Sequence, residues 1–167
     1  HGMRLHETPI GFKYICDLML ERDILIGGEE SGGIGVKGHL PERDGIVTSL
    51  LLAEAMADTG KTLGEWVGEL HRRYGPQFYS RVDLHLPQGQ KERALAALSE
   101  APPAQIAAYP VSGIESLDGI KFLLEPNAWV LARGSGTEPL LRLYAEAPAA
   151  EDVQAILSCV EQMVRNA

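Results

Sequence analysis

The hydrophobic pattern of this chain changes character at Gly75-Pro76, and that change limits the folds open to it. Before the pair, apolar residues recur at helical spacing; after it, they alternate in short runs that read as strands with a helix at each side. Residues 9–20 set Ile10, Tyr14, Ile15, Leu18 and Met19 on one helical stripe, with Thr8 as N-cap and Pro9 at the first helical position. Residues 23–27 read as a short buried strand, and 28–38 as a loop too rich in glycine for regular structure. Asp44 caps a helix that runs through Asp58 and stops at Gly60. Thr62-Leu63-Gly64-Glu65 is a capping box opening a second helix with Leu63, Trp66, Val67 and Leu70 on one face, closed by His71, Arg72 and Arg73. Beyond the break, 78–86, 120–124, 129–132 and 140–145 read as strands, 90–99 and 152–164 as helices, and Ala101-Pro102-Pro103-Ala104 as a stiff loop. The expected organisation is an α/β portion over residues 1–75, then an α+β domain over 76–167 with an antiparallel-type sheet and helices on one side.

With 167 residues, 45% of them hydrophobic, the chain can build real cores, and its formal charge of −8 argues against nucleic acid or an anionic membrane as partner. Any phosphate site must therefore be a local basic spot. Cys16 and Cys159 stand alone, without zinc spacing or a disulfide framework, and read as packing residues of a reduced protein. No apolar run reaches the roughly 18 residues of a membrane span, and His1-Gly2-Met3-Arg4 lacks a signal-peptide core. A cytoplasmic location is expected.

Arg133-Gly134-Ser135-Gly136-Thr137-Glu138-Pro139 packs an arginine, two hydroxyls and two glycines between apolar runs. Glycine lets successive N–H groups converge on phosphate oxygens, the hydroxyls add donors, and Arg133 supplies a permanently charged planar fork. Arg142 follows in Leu140-Leu141-Arg142-Leu143-Tyr144, on the strand face opposite Leu141 and Leu143, where it offers a second cation. The plainer reading is a glycine-rich hairpin with two solvated arginines. Gly27-Gly28-Glu29-Glu30-Ser31-Gly32-Gly33 follows a predicted strand, where α/β proteins present ligand groups. If the extended conformation continues, Glu29 and Ser31 share a side suited to sugar hydroxyls and Glu30 points away; a plain acidic turn is the alternative. Adjacent glutamates do not make a glycosidase pair, and Lys37 lacks the following Ser or Thr of a nucleotide P-loop.

In this order, with Pro41-Glu42-Arg43-Asp44-Gly45 between them and Thr8-Pro9-Ile10-Gly11-Phe12-Lys13 ahead, the two loops resemble the C-terminal part of the α-D-phosphohexomutase family, which includes phosphoglucomutases and phosphomannomutases. The resemblance implies that Gly28, Glu29, Glu30 and Ser31 bind sugar, with Glu29 and Ser31 as the hydroxyl contacts. It implies that Arg133, Gly134, Ser135, Gly136, Thr137 and Arg142 bind phosphate. Arg43 and Lys13 are further candidates. A guanidinium does not readily lose a proton, so Arg43 would stabilise charge; a salt bridge with Glu42 or Asp44 explains it equally, and an exposed first-turn lysine explains Lys13.

The implied reaction interconverts hexose 1-phosphate and hexose 6-phosphate through a phosphoserine and a bisphosphate intermediate. Glucose 1,6-bisphosphate would serve as activator and intermediate. No Ser-His-Asn loop and no Asp-x-Asp-x-Asp metal loop occurs in these residues, so this chain supplies no metal ligand and is expected to be inactive alone. The resemblance assigns phosphoserine and Mg²⁺ to N-terminal domains that would be its partners. It also implies an incomplete first domain open to self-association. Gly33 and Phe12 stand where some dual-specificity relatives carry histidine, which tilts the reading toward phosphoglucomutase, with phosphomannomutase or a dual-specificity enzyme as alternative. His39 reads as a loop histidine. From other classes, a non-catalytic hexose-phosphate-binding module and a plain dimerisation module remain open.

Overall fold

A computed structural model describes residues 2–87, 89–135 and 138–167, and the chain divides into two compact units, His1–Gly68 and Glu69–Ala167. The first holds α1 (Phe12–Glu21), β1 (Ile26–Gly28), β2 (Ile34–Val36) and α2 (Gly45–Thr59); the division falls within α3 (Leu63–Tyr74). The helix α1 starts later than the sequence suggests: Gly11 is its N-cap, at φ 131, and Thr8 and Pro9 lie in extended chain. A positive φ at Gly11 cannot continue a right-handed helix backwards, so Pro9 is excluded from it.

The glycine-rich stretch expected to lack regular structure instead forms half of a hairpin. β1 and β2 pair antiparallel with Ile26 opposite Val36, Gly27 opposite Gly35 and Gly28 opposite Ile34. The β-branched Ile26, Ile34 and Val36 supply the strand preference, and glycine supplies room. A Cβ on Gly35 would meet the Glu42 carbonyl, Met19 Sδ and Phe12 Cζ, each at 3.1 Å. Asp44 caps α2, accepting from the N–H groups of Ile46 and Val47 at 2.9 and 3.0 Å, and Gly60 ends it in the left-handed conformation. The Thr62–Glu65 capping box forms as well: the Thr62 N–H and hydroxyl each donate to Glu65 at 2.8 Å.

The second unit contains β3 (Phe78–His85), α4 (Gln90–Glu100), β4 (Gln105–Ile106), β5 (Tyr109–Glu115), β6 (Ile120–Leu124), β7 (Ala128–Gly134), β8 (Leu140–Ala147) and α5 (Ala150–Asn166). Its six strands form one antiparallel sheet in the order β3-β8-β7-β6-β5-β4. β5 to β8 is a run of hairpins, and β3 pairs with the last of them. α4 and α5 cover one face, burying Phe122, Val130, Leu141, Leu143, Val153, Ile156 and Val160 in a single core. The opposite face carries Arg133 and Arg142 together with Trp129, Leu131 and the buried Tyr144. Strands β4 and β5 went unread in the sequence because the Pro102-Pro103 pair, Pro110 and a largely exposed pattern mask them; Pro110 sits on the short edge pairing with Gln105. Among the described residues no helix is long and apolar enough to cross a membrane.

Candidate functional site

The loop between β1 and β2 is a tight reversal, not a continuation of the strand. The Gly32 N–H donates to the Glu29 carbonyl at 3.0 Å, the Glu29 N–H donates to the Gly33 carbonyl at 2.9 Å, and Gly32 takes φ 91. Glu30 and Ser31 therefore occupy the exposed tip, and the same-side arrangement expected of Glu29 and Ser31 in extended chain does not arise. Gly28 is exposed at the end of β1. The Glu29 side chain folds back, only 14% exposed, and accepts from Arg43 Nη1 at 3.0 Å. Arg43 also lies 5.6 Å from the centroid of the Phe12 ring and 3.9 Å from the Glu42 carboxylate. A Cβ on Gly33 would come 3.1 Å from Arg43 Cδ and 3.3 Å from Glu29 Oε2, so glycine there lets the pair close.

Asp44 does not engage Arg43. Its second oxygen pairs with His39 Nε2 at 2.9 Å, so His39 is tied to the start of α2. The Val47 N–H, the His39 imidazole and the Ile46 N–H hold the Asp44 carboxyl below its ordinary range. Lys13 is exposed in the first turn of α1, its ammonium 4.7 Å from the Tyr14 ring centroid. Chemically, the reversal offers a carboxylate steadied through Oε2 by Arg43, leaving Oε1 to accept from a hydroxyl, and a hydroxyl at the tip.

In the second unit, Arg133 and Arg142 are directly opposed across β7 and β8, so both arginines lie on the same sheet face at the mouth of the loop. Acidic groups flank the two cations. Arg133 Nε donates to Asp118 at 3.0 Å, whereas Arg142 lies 3.8 Å from Asp83 on β3 and 3.6 Å from Glu138. Arg142 Nε is buried and has no hydrogen-bond partner among the described residues. The buried Nε instead faces the Asp83 carboxylate, 3.8 Å away. Gly119, at φ 95, lets the β5–β6 turn press against β7: a Cβ there would lie 2.5 Å from the Ala132 carbonyl and 3.1 Å from Arg133 Cα. Ser135 is buried, and its N–H donates to the Leu140 carbonyl at 2.8 Å. Gly136 and Thr137 lie outside the described residues.

The other side of this loop faces α4. Gly134 abuts it, since a Cβ would come 3.3 Å from Leu95 Cδ1 and 3.4 Å from Lys91 Cδ. Lys91 Nζ donates to the carbonyls of Ser135 and Glu138 at 2.9 and 3.3 Å. Sequence reasoning missed Lys91, Asp83 and Asp118. The Asp118-Gly119 dipeptide is a hairpin signal that pointed to a turn, though not to its contact with Arg133. Nothing local marks Lys91 or Asp83. Among the described residues no three His, Cys, Asp or Glu side chains converge as a metal site.

Residues 1–74 match the family model described as phosphoglucomutase/phosphomannomutase, alpha/beta/alpha domain III, and residues 84–162 match that described as phosphoglucomutase/phosphomannomutase, C-terminal domain. The chain belongs to the phosphoglucomutase/phosphomannomutase family. Among its relatives, a phosphoglucomutase/phosphomannomutase of Thermococcus kodakarensis is 29% identical over 167 residues, all of this chain and 34% of the relative. A phosphoglucosamine mutase of Moorella thermoacetica is 33% identical over 97% of this chain and 32% of its own length. A crystal structure from Thermus thermophilus, described as a candidate phosphomannomutase, is 40% identical with a TM-score of 0.78, covering 98% of this chain and 32% of that one. The structure of a Burkholderia thailandensis phosphoglucomutase/phosphomannomutase family protein, 19% identical at a TM-score of 0.66 and covering 95% of this chain and 32% of that one, shares the fold. The chain thus spans about a third of the length of the curated relatives it matches. Within this phosphohexomutase family chain, the Glu29 reversal falls in the domain III match and the Arg133 loop in the C-terminal domain match.

Proposed function

We propose that the full-length protein is a cytoplasmic phosphohexomutase of the phosphoglucomutase type, and that this chain supplies its sugar and phosphate recognition. In that reaction the Oγ–P bond of a phosphoserine breaks as the free hydroxyl of a hexose phosphate forms a new ester bond to the phosphoryl group, and the hydroxyl's proton is balanced by the one taken up on the freed serine oxygen. The bisphosphate turns round, and its other phosphoryl group returns to the serine. Glucose 1,6-bisphosphate is the proposed intermediate. Phosphoserine and Mg²⁺ belong, in this reading, to N-terminal domains beyond this chain, whose own residues bind and orient. Arg133 and Arg142, with Gly134, Ser135, Gly136 and Thr137, hold the phosphate that does not react. Glu29 and Ser31, on the loop with Gly28 and Glu30, accept and donate to ring hydroxyls. Arg43 steadies Glu29, and Lys13 is a further candidate contact. Positioning and charge stabilisation supply most of the catalysis in phosphoryl transfer, which suits residues of these types.

The observation that carries the reading is the opposed Arg133–Arg142 pair at the mouth of a glycine loop, with the buried Arg142 Nε lacking a hydrogen bond. Calorimetric titration with glucose 1,6-bisphosphate tests it. Each charge-assisted contact contributes about 1.5–3 kcal/mol, so Arg142→Ala and Arg133→Ala should each weaken binding by roughly tenfold or more with the melting temperature nearly kept. Glu29→Gln should blunt discrimination between glucose 1-phosphate and mannose 1-phosphate more than it lowers phosphate affinity. Equal loss of both would contradict the division of roles.

The 40% identity to the Thermus thermophilus protein favours a second reading, a phosphomannomutase or dual-specificity enzyme. Competition between glucose 1-phosphate and mannose 1-phosphate on the full-length protein separates the two.

A further inference from the structure

The loop at residues 134–138 has two sides. Both arginines lie on the sheet face away from α4 and α5, since Arg133 opposes Arg142 while Leu141 and Leu143 enter the core. On the helix side stands Lys91, in the first turn of α4, with its side chain only 18% exposed. Its stem packs where Gly134 has no side chain, and its ammonium reaches the Ser135 carbonyl at 2.9 Å and the Glu138 carbonyl at 3.3 Å. Those two carbonyls bracket the loop. Its near neighbour Glu92, at 3.5 Å, leaves the ammonium charge only partly balanced.

We propose that Lys91 is a positioning residue of the phosphate loop, fixing its entry and exit from behind while Arg133 and Arg142 act from the front. This rests on the loop binding phosphate, as argued above. An ammonium donating to two carbonyls holds Ser135 and Glu138 in place before the ligand arrives, so less conformational entropy is lost on binding. Each end also carries a backbone bond: the Ser135 N–H donates to the Leu140 carbonyl at 2.8 Å, and the Leu140 N–H donates to the Glu138 carbonyl at 2.7 Å. The charge itself adds positive potential near the anion. Lys91 is not expected to touch the ligand, as its donors are directed at backbone oxygens.

Titration of the 167-residue chain with inorganic phosphate and with glucose 6-phosphate tests this, with melting curves recorded for each variant. Lys91→Met keeps the stem against Gly134 and removes the donors; it should weaken binding of both ligands by several fold while the melting temperature moves by only a few degrees. Lys91→Arg should recover most of the affinity. If the wild-type chain binds neither ligand, or Arg133→Ala binds as tightly as wild type, the phosphate reading of the loop fails and this proposal falls with it. If Arg133→Ala is weakened but Lys91→Met binds like wild type, the loop reading stands and the Lys91 role is overturned. Should Lys91→Met fail to fold, Lys91→Gln carries the same comparison, and wild-type affinity in that variant overturns the proposal.

Discussion

Asp44 and Glu65 each accept the N–H groups of a helix start, and both titrate below their ordinary ranges. For Asp44 the causes are the Val47 N–H, then His39 and the Ile46 N–H; for Glu65 they are the Thr62 N–H and hydroxyl. A carboxylate with a lowered folded-state value stabilises the fold above its unfolded value, and the contribution disappears as pH falls through the folded one. The caps of α2 and α3 should therefore loosen together as pH falls through and below the ordinary carboxylate range. Far-UV circular dichroism on acid titration should show a shallower loss of helix in Asp44→Asn/Glu65→Gln than in wild type, and identical acid limbs would refute it. These caps were legible in the sequence because each donor lies within three residues of its acceptor. The Glu29–Arg43 pair was not, its partners lying fourteen positions apart; sequence offered Glu42 or Asp44 for Arg43, and only Glu42 lies near it, at 3.9 Å.

At the scale of elements, alternation and turn chemistry carried the central strands, and the failures share a cause. Strand β2 was hidden by glycines whose purpose is tertiary, since Gly35 and Gly33 make way for Phe12, Met19 and the Arg43–Glu29 pair. β4 and β5 were hidden by prolines that a sheet edge tolerates. The β5–β6 turn joins fold to site: Gly119 takes φ 95 and brings Asp118 to Arg133. Gly119→Ala would set a Cβ against the Ala132 carbonyl at a position where only glycine is at ease. It should cost more than about 1 kcal/mol in denaturant unfolding. It should also weaken phosphate binding, because relief of the clash moves the turn away from Arg133. Full stability in that variant would show that the turn is not pressed against β7. Arg133 was thus readable as a cation, and its orienting partner was not, because fifteen residues and a strand separate them.

For the molecule as a whole, the two units differ in how they treat apolar surface. The second buries a continuous core between its sheet and α4 and α5. The first exposes much of its own: α2 is rich in leucine and isoleucine yet has no buried residue, with Ile46 76% and Leu50 65% exposed. Residues four apart share a helix face, so Ile46 and Leu50 form one apolar strip. Contiguous apolar patches of this kind are uncommon on monomers and mark surfaces that meet something. The family relatives are about three times as long as this chain. The 167-residue chain alone should bury the strip against another copy. Light scattering after size exclusion should show the mass rising above that of a monomer from micromolar to hundreds of micromolar chain. Ile46→Lys/Leu50→Lys should return it to a monomer without loss of helix, because both side chains already face water and lysine is a good helix former. A wild-type chain that stays monomeric across that range, and binds no hydrophobic dye, would mean that the strip is covered within the chain itself.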